Sequence, residues 1–445
     1  MLRSKVFVFI LFFCFSGFSQ EFYTSGKKIS DFKGGFQIDT IPIKVHGLRS
    51  KIDTSYGLVK VCLNIEHPRV SDLKIELLAP DGSLIWLTNR NGGEKGSNYL
   101  NTCFRSNGFN GYIHQANAPF IGEFVPDGRM LFINNGQNPN GNWSILVQDL
   151  KEGLTGIVHY VKFEFGDKPM PNSDKGGCST EHPEFCHCAN NLNNCQLLPD
   201  LVVLPKFTDD QIQEFPQNDP NYPGQLRLAA TIANIGFGPM EVLGKSEWID
   251  IKQKKVDSTY IDNNGIAARQ IVYQRIHKKN TDGKLTTIDL PAGTNYYDSH
   301  QGHNHYHVDD WVVFRLVSKK MNKKGKVTKR KVLSEGKKIS YCLWDTGICN
   351  SADSLCFVNG KFYGSKNLPN YGLGTFNNCD SGYQGISVGG YDTYGLFYEG
   401  QFLIIPPKTK NGVYYLEVEV DPIHKYLESN ETNNIYEKRI DLKLQ

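Results

Sequence analysis

Apolar and polar residues alternate in short runs along this chain, as in Gly57-Leu-Val-Lys-Val-Cys-Leu-Asn-Ile65 and Leu73-Lys-Ile-Glu-Leu-Leu78, the second closed by the turn Pro80-Asp81-Gly82. Similar runs return at 226–234, 270–276, 311–316 and 414–420. A period of two sends successive side chains to opposite faces of a strand, so each run reads as a sheet element with one face turned inward. No stretch sustains the 3.6-residue period of an amphipathic helix, and the expected class is all-β. An aromatic share of 12% and 43 glycines favour strands and tight turns. The 445 residues suffice for two or three domains. Lys+Arg (49) nearly balances Asp+Glu (46) without basic blocks, which argues against a nucleic-acid partner.

The N-terminus reads MLRSKVFVFILFFCFSGFSQ. Arg3 and Lys5 precede an apolar stretch from Val6 to Phe15, and Gly17 and Ser19 are small residues at the −3 and −1 positions of a cleavage site. Residues 1–19 are therefore expected to be a signal peptide, with the mature chain starting near Gln20. The run is too short to span a hydrocarbon core of about 30 Å, and no other segment is long enough, so no transmembrane segment is expected. Of 11 cysteines, Cys14 leaves with the signal and ten remain, an even number that outside the cytosol reads as disulfides.

Residues 22–167 carry the pattern of a β-sandwich. The segments DLKIELLAPDGSLIWL, APFIGEF and NPNGNWSILVQDLKEGLTGIVHYVKFEF resemble the P domain that accompanies subtilisin-like proprotein convertases, a jelly roll that supports a neighbouring protease. No protease domain is present, so the expected role is structural or targeting, with an unidentified protein or glycan as a possible contact. Trp86 and Trp143 read as core residues, Asp72, Asp81 and Asp149 as turn or surface groups, and Cys62 and Cys103 as a disulfide. Residues 168–197 form a Cys-rich linker in which Cys178, Cys186, Cys188 and Cys195 lack the CxxC spacing of a zinc site, so disulfides are favoured there too.

A second β-rich domain, 198–445, holds the run His300-Gln-Gly-His303-Asn-His305-Tyr-His307. On a strand, His303, His305 and His307 share one face, with Asn304 and Tyr306 on the other. Three neutral imidazoles with an open position suit copper and also zinc, so the ligand set alone leaves the metal undecided. The metallo-β-lactamase pattern needs an Asp-His pair where Tyr306-His307 stands.

The segment DSHQGHNHYHVDDW, with Leu198-Pro-Asp-Leu201, SEGKKISYCLWDT, YQGISVGGYDTYG and DPIHKYLESNETNN, resembles the lysyl oxidase catalytic domain from about residue 197 to the end. The resemblance implies copper on His303, His305 and His307 and a lysine tyrosylquinone made from Lys338 and Tyr394. It implies an amine oxidase acting on a primary amine, possibly lysines of an extracellular protein, with O2 consumed and hydrogen peroxide and ammonia released. Asp345 and His300 are the candidates for the base that takes the α-proton. Lys337 is expected to face away from Lys338 and not to replace it. Glu428, Asn430, Asn433 and Asn434, with Asp200, match a calcium site known in some family members. Where animal members carry a disulfide-linked cysteine in the histidine run this chain has Gly302, which leaves Cys379 to pair with Cys356 and Cys342 with Cys349. Two rivals, a metal-binding adhesion module and a zinc hydrolase, require neither Lys338 nor Tyr394.

Overall fold

The computed structural model describes residues 19–33, 37–93, 95–169, 177–298, 305–337, 339–349, 355–377, 379, 382–396 and 398–443. The cleavage site and signal peptide lie almost wholly outside these. Strands dominate, as the period-two pattern requires. Among the described residues one short α-helix occurs, Pro205–Asp210, opened by a proline that has no amide to leave unpaired in the first turn.

The N-terminal part is a sandwich of two sheets. One runs in the order Gln20–Ser25, Ile157–Asp167, Tyr56–Glu66, Tyr99–Phe104, Phe120–Phe124; the other in the order Asp39–Val45, Gly141–Asp149, Leu73–Leu78, Leu84–Asn89. Along Asp39–Val45 every second residue is buried, so Ile41, Ile43 and Val45 enter the core while Thr40, Pro42 and Lys44 face water. Trp143 is fully enclosed and its indole N–H donates to the Pro139 carbonyl at 2.7 Å. Cys62 and Cys103 face each other across two paired strands and are bonded, as expected.

Three readings of this sandwich need correction. Asp72, in the single 3-10 turn Val70–Asp72, and Asp149, whose Oδ1 accepts from the Lys151 amide at 3.1 Å, are turn residues but buried rather than at the surface: Asp72 accepts from Arg69 Nε at 2.7 Å, and Asp149 lies 3.3 Å from His67 Nε2. Trp86 is not a core residue. It sits between Ile85 and Leu87, both fully buried, so the pleat sends it to the outer face of the Leu84–Asn89 strand. Asp81 is the turn residue expected, accepting from the Ser83 amide and hydroxyl at 2.8 Å each.

The linker cysteines pair locally, Cys178 with Cys186 and Cys188 with Cys195. Beyond them a large sheet runs Lys255–Val256, Met240–Ile249, Arg269–Lys279, Leu285–Asp298, His305–Met321, Gly412–Val420, Ile435–Leu442. A smaller sheet, Leu201–Val203, Ala230–Asn234, Gly390–Tyr394, Gly347–Ile348, packs with it. Trp311, Phe314, Leu316, Leu416 and Val418 belong to the core between them. The disulfides here differ from expectation: Cys342 pairs with Cys379 and Cys349 with Cys356. Tyr341 pairs with Val308 on the His305–Met321 strand, and the Tyr306 amide donates to the Cys379 carbonyl at 3.0 Å, so Cys342 and Cys379 flank the same strand. Cys349 and Cys356 close a short local loop.

The two parts touch through buried groups. Trp86 meets Trp344 with ring centroids 4.6 Å apart, Tyr112 meets Phe207 at 5.8 Å, and Gln211 Nε2 donates to the His114 carbonyl at 2.8 Å. Arg129 Nη1 reaches Asp345 Oδ2 at 3.0 Å, with side-chain exposures of 9% and 0%.

Candidate metal and amine site

The histidine strand pairs antiparallel with the end of Leu285–Asp298, setting Asp298 opposite His305 and Tyr296 opposite His307. His305 and His307 are buried on one face, whereas Tyr306 points the other way, against Tyr297 and Trp248. Their Nε2 atoms face each other at 2.9 Å. Two neutral imidazoles cannot both present a lone pair at that distance without repulsion; a shared proton or a cation resolves it. Two nitrogens each about 2.0–2.1 Å from one metal ion are spaced in this way, so the pair fits a first-row metal. Behind His307, Nδ1 lies 3.6 Å from Asp298 Oδ2, a carboxylate placed to orient the ring. His300 and His303 lie outside the described residues.

Tyr394 ends the Gly390–Tyr394 strand and is stacked on Tyr341 with centroids 3.8 Å apart and planes 13° apart. Its hydroxyl accepts from the Cys342 amide at 2.8 Å. Burial, with Asp392 nearby, pushes its phenol well above the usual range, so a phenolate here needs a cation beside it. Asp392 is fully buried with both carboxylate oxygens unpaired among the described residues, and burial also raises its pKa far above the normal carboxylate value. Lys338 lies outside the described residues.

A cavity of about 260 Å³ joins these groups: His305, His307, Asp298, Tyr296 and Tyr394 all border it. Lys337 and Ile339, on either side of Lys338, border it as well. Lys337 is exposed at the cavity edge, and its orientation relative to Lys338 lies outside the described residues. Burial raises the Tyr296 phenol to about 12. Ser340, Tyr398, Glu399 and Gly400 add to the wall, and the sandwich contributes Trp86, Asn89 and Arg90. None of the last three was singled out for the site from sequence, and nothing local could have done so, because they reach it only through domain packing. Asp298 had a signal in the motif itself, two residues before His300, but its role depends on the hairpin register.

Asp345 does not border the cavity. It is held by Arg129, by the Ser387 amide and hydroxyl at 2.9 Å each, and by the Phe376 amide at 3.3 Å. Burial raises its pKa and the Arg129 charge opposes that rise.

On another face of the domain, Asp200, Glu428, Asn433 and Asn434 converge. Asn433 Nδ2 donates to Asp200 Oδ1 at 2.7 Å, Asn434 Nδ2 to Glu428 Oε1 at 2.7 Å, and the Leu201 amide to Glu428 Oε2 at 2.5 Å. The Oδ1 atoms of Asn433 and Asn434 are buried without a partner among the described residues. Burial pushes Glu428 up to about 8 and also raises Asp200. Enclosed oxygens with two acceptors idle fit a hard cation such as calcium. Asn430 instead accepts from the Thr432 amide and hydroxyl, at 3.1 and 2.7 Å. Asp421, Glu428 and Glu431 form an adjoining acidic group that shares Glu428.

Comparison with known proteins finds two family models in the chain. Residues 257–445 match the lysyl oxidase family model and residues 57–117 the proprotein convertase P-domain model. Over 281 residues the chain is 32% identical to lysyl oxidase homolog 1 of Homo sapiens, covering 62% of this chain and 39% of that protein. The same protein of Bos taurus is 27% identical over 281 residues, 62% of this chain and 38% of its own length. Protein-lysine 6-oxidase of Homo sapiens is 33% identical over 152 residues, 34% of this chain and 29% of its own. The match thus spans well under half of each relative. The motif around His305 and His307, with Tyr394, lies inside the lysyl oxidase match, and the outer wall of the cavity comes from the strand that includes Trp86, inside the P-domain match. Residues 57–117 are therefore similar to the P domain of proprotein convertases and residues 257–445 to the lysyl oxidase family.

Proposed function

We propose that this protein is a secreted, copper-dependent amine oxidase that converts a primary amine, peptidyl lysine included, to an aldehyde: amine, O2 and water give aldehyde, ammonia and hydrogen peroxide. The observation that carries the reading is the facing of His305 Nε2 and His307 Nε2 at 2.9 Å in a cavity that Tyr394 also borders. His305 and His307, with His303 by motif, would hold the copper. Lys338 and Tyr394 would furnish the lysine tyrosylquinone, whose electron-poor carbonyl supplies the sink for the amine's electrons.

The chain's own part is to bind and orient. Asp298 fixes the His307 ring through Nδ1. The Cys342 amide and the Tyr341 ring hold the Tyr394 ring in one pose. Asp298 is a cavity carboxylate within reach of an entering amine, whereas Asp345 is enclosed by four hydrogen-bonding contacts and serves packing. Calcium at Asp200, Glu428, Asn433 and Asn434 is read as structural. The signal-like N-terminus and the paired cysteines support an exported protein.

Peptide mass spectrometry of copper-loaded, aerated protein tests the assignment. A crosslinked peptide joining the segments of Lys338 and Tyr394 is expected, together with peroxide release on adding a simple primary amine and its suppression by phenylhydrazine. Both peptides recovered unmodified from a protein that still oxidises amines would mean that another cofactor is at work.

A further inference from the structure

The P domain is more than a neighbour of the amine site. Trp86, Asn89 and Arg90 come from the end of the Leu84–Asn89 strand and the residue after it, and all three border the cavity that holds His305 and His307. The Trp86 ring lies 5.9 Å from the His305 ring and 4.6 Å from Trp344, so the indole forms an apolar wall beside His305. Asn89 is 6% exposed, and its Oδ1 has no partner among the described residues. A buried carboxamide oxygen left unpaired is destabilising, and an arriving ligand N–H relieves that penalty. Beside it, Arg90 is half-buried, and its Nε makes only a long 3.5 Å contact with the Ser71 carbonyl. The P domain therefore offers the cavity one idle acceptor, one fork of guanidinium donors and one flat aromatic face, within two neighbouring positions and a third close by.

We propose that this face of the P domain reads the main chain that carries the reacting amine: Asn89 Oδ1 accepts a peptide N–H, Arg90 donates to a peptide carbonyl, and Trp86 packs along the alkyl stem of a lysine side chain extended toward the histidines. The proposal rests on the amine-oxidase reading for the fate of the amine, but not for its binding. It assigns preference for peptidyl over free amines to the domain that carries no cofactor ligand. A free alkylamine would use only the Trp86 surface and forgo both polar contacts.

Two measurements separate the claims. Binding of acetyl-Gly-Lys-Gly-amide and of n-butylamine to the full-length, copper-free chain is measured by calorimetry for the wild type, Asn89→Ala, Arg90→Asn and Trp86→Phe. Asparagine suits position 90 because the backbone there has φ 58°, a left-handed conformation that Asn tolerates. Asn89→Ala and Arg90→Asn are each expected to weaken peptide binding at least tenfold and to lower the peptide-to-butylamine affinity ratio by the same factor; Trp86→Phe weakens both ligands alike. Peroxide release from the copper-loaded proteins, normalised to carbonyl titrated with phenylhydrazine, should show the same fall in the kcat/KM ratio. An unchanged ratio in both polar variants, with melting temperatures near wild type, overturns the proposal while leaving the oxidase reading intact. Variant-sensitive peptide binding with no peroxide from the wild type supports the wall and overturns the oxidase.

Discussion

In the N-terminal sandwich, buried carboxylates mostly meet a polar partner: Asp149 faces His67, Asp72 faces Arg69, Asp127 lies 2.9 Å from His114 Nδ1, and Lys74 holds Glu76 at 3.0 Å. In the C-terminal domain, among the described residues, Asp392 is enclosed with neither oxygen paired, Asn433 and Asn434 leave their Oδ1 atoms idle, and His305 and His307 point nitrogens at each other. Burying a polar group without a partner costs more than a hydrogen bond gains, so a fold retains such groups where something else completes them. Among the described residues the sandwich also encloses unpaired atoms, Ser71 Oγ, Asp72 Oδ2 and His114 Nε2 with them, and its idle Asn89 oxygen belongs to a residue that borders the cavity. In the second domain the idle oxygens of Asn433 and Asn434 adjoin the buried carboxylates of Asp200 and Glu428.

The sharpest way to break this contrast is at the histidines. His305→Ala or His307→Ala should remove most bound copper and lower amine oxidation by about 100-fold or more, read by metal analysis and peroxide release, because a single remaining imidazole of this pair cannot close the site. Normal copper in both variants would remove the metal assignment.

A second test concerns the ion pair that crosses from one part to the other. Arg129→Met leaves the Asp345 carboxylate in a dry site, and Asp345→Asn leaves the guanidinium there; each is expected to cost about 3–5 kcal/mol by denaturant unfolding. The double variant should cost clearly less than either single change. A full loss in the double variant would mean that Asp345 acts through Ser387 and Phe376 instead.

All-β architecture, both families and the shared face of His305 and His307 were legible because each depends on local period or local motif. The disulfides were not. Cys342 and Cys379 come together because both flank the histidine strand, a relation that appears only once the strand has found its partners. Trp86 was misread for a similar reason. Alternation in Leu84–Asn89 assigns Ile85 and Leu87 to one face and Trp86 to the other, but a large aromatic residue in an apolar run looks like core until the second domain is present to cover it.

The third prediction addresses the idle asparagine oxygens. Calcium at about 100 times its dissociation constant should stabilise the copper-loaded chain by about 2.7 kcal/mol, seen as a rise of several degrees in melting temperature, and Glu428→Gln should abolish the rise. A melting temperature indifferent to calcium would make the cluster a self-bonded turn.

The smallest effect expected is at Asp392. A carboxyl whose folded pKa lies above its unfolded value binds more protons when folded, so stability falls as pH rises from near 4 through the folded value. Asp392→Asn should flatten that slope in copper-free protein and raise the melting temperature at pH 8 more than at pH 5. An equal change at both would show that the carboxyl is neutralised by a partner.

The Cys342–Cys379 bond has a consequence for the order of events in the life of the chain. Cys342 holds the Tyr394 hydroxyl through its amide, and Cys379 is tied through its carbonyl to the histidine strand. Closing the bond thus fixes the ring relative to the imidazoles. On the amine-oxidase reading, thiol oxidation would set the ring beside the imidazoles before any metal acts on it.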